Sequence, residues 1–574
     1  CIDWRPLRKP DGPPASVIAA LSEGIAAIPA DADLLEVNTR LLQLARVVLG
    51  ERQQHVRQRQ AWMFQRNVWR QLHAHRCALR AHRTQPTAQT TAACAATWQA
   101  FTGARRKAKA RSQADYLRKL ASGELSLSFV LRSHEHPQGA DRDLPQLNTE
   151  AAHAFWQGTW SCRADDASAA SPRRYAACID VIITVADVMK AIERMRHTTS
   201  GPDGLATHLI KCLPEQLAPV LARAFTTALS DLPVDMRIAR TTLIPKSTPP
   251  STEPGDYRPI SVLPVLTRLF LAVIDARLRA LLAEPTEPCP AGRLSAVHAG
   301  FMPGRQGCHE LAAVLLLLQS MHHSRTPRSP LWAAFLDIKK AFDTLDHGVL
   351  MDILEHTIDL PPAWLEIISR LLAGNRTTLF GRELQLTRGA WQGSPLSPLL
   401  CLCYLEDLVR TMARAVAARR ATLATPGCFG RTSNSLFLHA DEHEEQHGYG
   451  LLLRLLIFAD DTNAVACCPA DMAFLLGVCG EWGTRRRLEF SRKSFYMPLC
   501  SNPTTPEVIY GLRLQHLTLK LSHEVFSYLG VPIFPYRKGS SPMEARAIQA
   551  NVLFLQLQRL QQQFIRGRKR TVIP

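Results

Sequence analysis

Two adjacent aspartates, Asp460 and Asp461, stand between apolar arms in LLLRLLIFADDTNAVACC at 451–468. An apolar run, two acids and a second apolar run read as a β-hairpin with both carboxylates at its tip. A folding core gains nothing from such a pair, because neighbouring carboxylates repel and resist desolvation. A divalent cation removes that objection, and hard oxygen donors suit Mg²⁺. A third acid is needed from elsewhere. LWAAFLDIKKAFDTLDH at 331–347 offers one: 331–336 are all apolar and end at Asp337, the pattern of a buried strand with a carboxylate at its exit. The separation of 123 residues between Asp337 and Asp460 means that only tertiary folding can join them. Two strands side by side in one sheet would bring Asp337, Asp460 and Asp461 to a common edge. Such a cluster can hold two Mg²⁺ about 4 Å apart for in-line phosphoryl transfer.

Other segments must position that chemistry. Phe342 lies five residues past Asp337, on the turn that leaves the strand. Asp343 is expected to point away along that turn as a local cap or structural acid, and Asp346 to cap a helix through His347 to Glu355. GAWQGSPLSP at 389–398 is a small-residue loop entering a helix, with Ser397 as N-cap and Pro398 at the first helical position. Gly393 lets the backbone come close to a ligand. Lys246 and Arg258 flank a Pro/Ser/Thr-rich loop in LIPKSTPPSTEPGDYRPIS.

FLDIKKAFD, WQGSPLSP, FADD and FSYLGVPI occur in the order of the palm motifs of reverse transcriptases, and resemble those of non-LTR (LINE-type) retrotransposons. GPDGL at 201–205, LIPKS with DYRPIS, and GFMPGRQG at 300–307 resemble that family's fingers, so the likeness runs from about Thr198 to Ile533. The resemblance implies roles residue by residue. Asp337, Asp460 and Asp461 would be the metal-binding catalytic acids, with two Mg²⁺ (or Mn²⁺) as cofactor. Phe342 would sit beneath the sugar of the incoming nucleotide and clash with a 2′-hydroxyl. Gln392 and Gly393 would lie against nucleotide and template. Lys246 and Arg258 would meet the triphosphate, where an Arg fork matches phosphate oxygens bidentately. Lys493 resembles the lysine of the fourth palm motif, placed to protonate pyrophosphate. That motif departs from the family, which often has Asn three residues before the lysine and Thr just after it. Here Phe490 and Ser494 stand there. Tyr528, Leu529 and Gly530 resemble the hairpin that grips the primer terminus.

Composition agrees with a nucleic-acid enzyme. The chain of 574 residues has 68 Lys and Arg against 50 Asp and Glu, net +18, and a polyanion is the obvious partner. Hydrophobic content of 46% is ample for a core and for more than one domain. Fifteen cysteines contain no CxxC, which speaks against a zinc knuckle and a disulfide framework, and for a reducing intracellular compartment. The longest apolar stretches, such as LAAVLLLL at 311–318, are too short to span a bilayer.

Residues 1–190 read as a mostly helical basic extension and linker: a basic stretch with tryptophans at 52–83, the cluster ARRKAKAR at 104–111, and linker over 133–172. Fingers and palm are expected over 191–535, with a surface insertion from about 419 to 450, and the start of a thumb over 536–574. The chain starts with Cys1 and reads as a fragment of a longer polyprotein. The fold class expected is α+β, a right-hand polymerase with fingers, palm and partial thumb. The expected function is RNA-directed DNA polymerisation for retrotransposition. It would act on an RNA template, a DNA primer or target DNA and deoxynucleoside triphosphates, in the nucleus if the element is eukaryotic. The alternatives are a catalytically inactive nucleic-acid-binding relative, an intron maturase, or an RNA-dependent RNA polymerase. Template, target site and oligomeric state are not written in the sequence.

Overall fold

The computed structural model describes, short gaps aside, residues 2–51, 71–104, 147–161, 175–246, 251–301, 330–422, 455–500, 509–528 and 531–535. Asp460, Leu529, Gly530, the insertion beyond 422 and the segment 536–574 lie outside the described residues, as do most of 52–83 and 104–111. Contacts divide the chain into two units. The smaller comprises Cys1, Glu51–Leu147 and Ser247–Thr252; the larger comprises Ile2–Gly50, Asn148–Lys246 and Glu253–Pro574. In the smaller unit residues 89–104 are helical, and Trp98 lies 5.0 Å from the His75 ring.

The larger unit begins with helices. In α1 (Ala15–Ala26) and α2 (Leu34–Leu49) the apolar residues fall on one stripe, and Asp33 caps α2 by accepting from the Glu36 N–H at 2.7 Å. A third helix, α3 (Thr149–Trp160), stands inside the stretch that composition marks as linker, and corrects that expectation. Asn148 caps it through the Glu150 and Ala151 N–H groups. Ala152, Trp156 and Trp160, spaced by four, are buried. Two indoles removed from water outweigh the loop-like composition around them.

Helices α4 (Val185–Arg194), α5 (Thr207–Cys212) and α6 (Pro214–Ser230) lead into the first sheet. Its strands are β1 (Ile238–Pro245) and β2 (Tyr257–Val262), then, beyond helix α7 (Val265–Ala283), the strand β3 (Leu331–Asp337) of the second sheet and helices α8 (His347–His356) and α9 (Pro362–Leu372), the hairpin β4 (Arg376–Leu379) and β5 (Arg382–Gln385). The order is β2-β1-β4-β5, with β1 and β4 parallel. A hydroxyl ladder ties it together, with Thr241 Oγ1 2.7 Å from Ser261 Oγ and 2.6 Å from Thr377 Oγ1.

Helix α10 (Ser397–Thr422) follows. It starts at Ser397 itself, one residue earlier than a Ser397 cap would put it, and Ser394 Oγ accepts the Leu396 N–H just ahead. The second sheet is completed by β6 (Leu455–Phe458), β7 (Asp461–Ala466), β8 (Phe495–Cys500) and β11 (Lys520–Leu521), with helix α11 (Pro469–Arg485) after β7 and a separate two-stranded pair, β9 (Arg513–Leu514) with β10 (Leu517–Thr518), before β11. Its order is β11-β8-β3-β7-β6, antiparallel except for β11 against β8. A last hairpin, β12 (Phe526–Tyr528) with β13 (Val531–Ile533), follows.

Period-two alternation sorts the faces of this second sheet. Trp332, Ala334 and Leu336 join the core shared with α10 and α11, together with Ala464, Ala466 and Tyr496 from the flanking strands. Asp337 and Phe335 therefore point to the other face. All of β3 before Asp337 is buried, which explains its unbroken apolar run. The fold is thus a mixed α+β one with helices on one side of the second sheet.

The cap expected at Asp346 is present: its Oδ1 accepts the Val349 N–H at 3.0 Å while Oδ2 takes Arg487 Nη1 at 2.9 Å. Asp346→Ala should lower the unfolding free energy by about 1–2 kcal/mol. Asp346→Asn, which keeps the cap, should recover most of it in urea unfolding.

Candidate functional site

Antiparallel pairing sets Asp337 directly opposite Asp461, at the last position of β3 and the first of β7. Directly opposed residues share a face, with Cβ atoms roughly 4.5–5.5 Å apart. The Asp337 side is therefore where both carboxylates project. The hairpin expected around the acids is also present, with Phe458 opposite Asp461. Asp461 is exposed and Asp337 half-buried. Two like charges so placed repel each other. Acid-only donors at an open sheet edge fit a hard divalent ion such as Mg²⁺. Among the described residues no group of three or more His, Cys, Asp or Glu side chains is placed to hold a metal ion; Asp460 lies outside them.

The Lys493 loop is laced to the exit of β3. Ser491 N–H donates to Asp337 O at 2.7 Å, Asp337 N–H to Ser494 Oγ at 3.1 Å, and Lys339 N–H to Glu489 O at 2.8 Å. Ser494, one of the two departures from the family pattern, thus braces the backbone of the first acid. Phe490, the other, is buried and bridges to Ile338. Lys493 itself is exposed, one residue from that brace.

Phe335, two residues before Asp337 on the same face, gathers aromatic rings. Phe495 lies 5.2 Å away, Phe526 4.8 Å and Tyr528 5.3 Å. The β12–β13 hairpin therefore packs on the acid-bearing face, and Tyr528 is buried there. Leu529 and Gly530, which follow Tyr528 in sequence, lie outside the described residues.

The first sheet meets the 389–398 loop through β2. Gln392 O accepts the Ser261 N–H at 2.8 Å, and Gln392 bridges to Ile260. Gly393 has φ of 130°, and a Cβ there would stand 2.4 Å from Ser261 O. Only glycine fits. Arg258 is an exposed residue of the same strand, paired in register with Ile244. Lys246 donates from Nζ to Gly255 O at 3.1 Å.

Phe342 sits in a short 3₁₀ turn, Ala341–Asp343. Its carbonyl accepts the Ala390 N–H at 2.8 Å, and its ring lies edge-on to Phe301 at 6.2 Å. Asp343 is not turned outward along the chain but buried. Its Oδ2 accepts from Gln392 Nε2 at 2.8 Å, and its Oδ1 is 3.5 Å from Trp160 Nε1. Burial pushes the Asp343 carboxyl up to about 7, against the pull of these donors and of Lys340 and Lys246. Lys340, left-handed at φ 53°, puts Nζ 3.5 Å from the Phe155 ring centre. Burial pushes its ammonium down to about 8. Sequence reasoning misses Trp160, Phe155 and Lys340 entirely. The Asn148 cap and the four-residue spacing of Ala152, Trp156 and Trp160 were the available signal.

Paired carboxylates at the ends of β3 and β7 on a helix-backed sheet, with the first sheet carrying Arg258 and meeting the Gly393 loop, are the layout that a palm-and-fingers fold implies. Residues 244–533, half of the chain, match the family model of reverse transcriptase (RNA-dependent DNA polymerase), and the chain belongs to that family. It is 30% identical over 293 residues to the Retrovirus-related Pol polyprotein from type-2 retrotransposable element R2DM of Drosophila melanogaster, covering 50% of this chain and 25% of that protein. It is 27% identical over 231 residues to the probable RNA-directed DNA polymerase from transposon X-element of the same fly, covering 39% and 24%. To the polyprotein from type-1 element R2 of Nasonia vitripennis it is 28% identical, covering 39% and 21%. The likeness to LINE-type reverse transcriptases holds. The chain spans about a quarter of the length of these curated relatives. Among the described residues no helix is long and apolar enough to cross a membrane.

Asp343 generates a pH test. Its native pKa, about 7, lies above the ordinary aspartate value of 3.8. The folded chain therefore holds a proton that the unfolded chain releases, and this contribution to stability falls as pH rises from about 4 to 7. Asp343→Asn should gain stability relative to the parent across that window in urea unfolding. A parent–variant difference that does not move with pH contradicts the assignment.

Proposed function

We propose that the chain is an RNA-directed DNA polymerase that adds deoxynucleotides to a primer 3′-end by two-metal phosphoryl transfer, in the service of retrotransposition. The observation that carries this is the in-register pair Asp337 and Asp461 inside the family-matched segment. Asp337, Asp461 and Asp460 would hold the ions, Mg²⁺ or alternatively Mn²⁺. Bound there, they would activate the primer hydroxyl and neutralise leaving pyrophosphate.

The chain's own residues supply placement and protons. Arg258 and Lys246 take the triphosphate oxygens. Gln392 and Gly393 lie against the nucleotide and template. Phe342 occupies the space of a 2′-hydroxyl. Lys493, beside the brace on Asp337, delivers a proton to pyrophosphate. The hairpin of Tyr528, Leu529 and Gly530 holds the primer terminus against the acid face, where Tyr528 already packs on Phe335. The partners would be an RNA template, a DNA primer or target DNA, and deoxynucleoside triphosphates, in the nucleus of a eukaryotic host. Fingers and palm would occupy 191–535 and a thumb would begin at 536, with the N-terminal extension before them.

Asp337→Asn should lower primer extension on an RNA template by at least about a hundredfold while leaving template–primer binding nearly unchanged. Extension near the parental rate in that variant would remove the site assignment, and a parent without extension would favour an inactive binding relative. Phe342→Ala should raise ribonucleotide incorporation relative to deoxynucleotide by about tenfold or more. Equal use of both sugars by the parent would point instead to an RNA polymerase.

A further inference from the structure

We infer that Asp343 is the positioning residue that sets the orientation of the Gln392 amide toward the incoming nucleotide, with Trp160 of α3 holding Asp343 in turn. The inference rests on the polymerase reading above and extends it to a residue outside the nucleotide-contacting set.

The backbone of Gln392 is held in place. Its carbonyl is held by Ser261 N–H at 2.8 Å, and the next residue, Gly393, lies against Ser261 O with no room for a side chain. The side chain keeps its own torsions, of which the terminal amide rotation has a broad, roughly two-fold preference. An ionised carboxylate can only accept hydrogen bonds. Asp343 therefore requires the Gln392 NH₂ to face it, as the 2.8 Å contact to Nε2 records. The Gln392 Oε1 is then turned away from Asp343, as an acceptor for a donor of the incoming nucleotide.

Asp343 has little freedom to reorient. It is 3% exposed, and its second oxygen faces the indole N–H of Trp160 at 3.5 Å. The same end of α3 grips the loop's approach, because Trp160 O accepts both Thr387 and Arg388 N–H at 3.0 Å. Lys340 and Lys246, which favour the ionised form, are the charged neighbours acting on Asp343. Burial alone would favour the neutral acid, and the positive charge of these lysines opposes it.

The test is a double-mutant cycle in the full chain at pH 8. It compares Asp343→Asn and Asp343→Leu, each alone and combined with Gln392→Ala. Two quantities are read: the apparent KM for deoxynucleotide in primer extension, and the deoxynucleotide concentration that stabilises a complex on a chain-terminated primer. Asp343→Asn, whose amide can turn either way, should raise both by about threefold, and Asp343→Leu by about tenfold. For Asp343→Asn and Asp343→Leu alone, kcat and primer–template affinity should change less than about threefold. In the Gln392→Ala background neither Asp343 variant should add a penalty. Penalties that simply add, or a loss of primer–template affinity alongside, would show Asp343 to be merely a buried structural acid. A parent chain that neither extends a primer nor binds deoxynucleotide overturns the polymerase reading and this inference with it.

Discussion

The antiparallel register between β3 and β7 is the constraint on which the rest of the molecule turns, because it forces two carboxylates to face each other across neighbouring strands. A one-residue slip would move one of them to the helix-packed face, where a charge has no partner. The register is held by the packing of Trp332, Ala334 and Leu336 against the helices, on the side away from the acids. The energy that fixes the repulsive pair thus comes from the apolar face behind it. Such an arrangement lets the strand pair persist with two like charges at its end.

The helices behind the sheet are themselves pinned by buried charge. Consecutive residues of α10 serve two directions. Glu406 accepts from Ser295 Oγ at 2.7 Å and faces His298 Nε2 at 2.9 Å, while Asp407 takes Trp482 Nε1 at 2.9 Å and Arg486 Nε at 2.7 Å. Buried ions of this kind add little net stability, but removing one partner leaves an uncompensated charge. They therefore favour one seating of α10 against α11 and the segment near 295. A rigid back layer transmits that seating to β3 and β7, and hence to the acids.

The N-terminal part of the larger unit is not a passive appendage. Helix α3 brings Trp160 to Asp343 and Phe155 to Lys340, so residues far upstream of the family-matched segment pack behind the Asp343 turn that meets the 389–398 loop. Lys340 is desolvated over aromatic rings, a setting in which the ring faces replace part of its lost hydration. The sequence motifs end well short of this helix, which explains why they say nothing of it.

The elements legible in the chain were those whose cause is local. The apolar run into Asp337, the hairpin around 455–466, the Asp346 cap and the glycine loop entering α10 each follow from periodicity or capping within a few residues. Helix α3 was hidden by surrounding linker-like composition, although its own cap and tryptophan spacing were present. The partner of Asp343 could not be read at all: Gln392 lies 49 residues away and Trp160 lies 183 residues away. By itself the sequence determined which strands carry acids and which loop carries glycine, because side-chain chemistry and period-two alternation are properties of neighbours. Which face those acids occupy, and which buried groups orient the residues beside them, was decided only by tertiary packing. Burial and register are set between segments that meet nowhere along the chain.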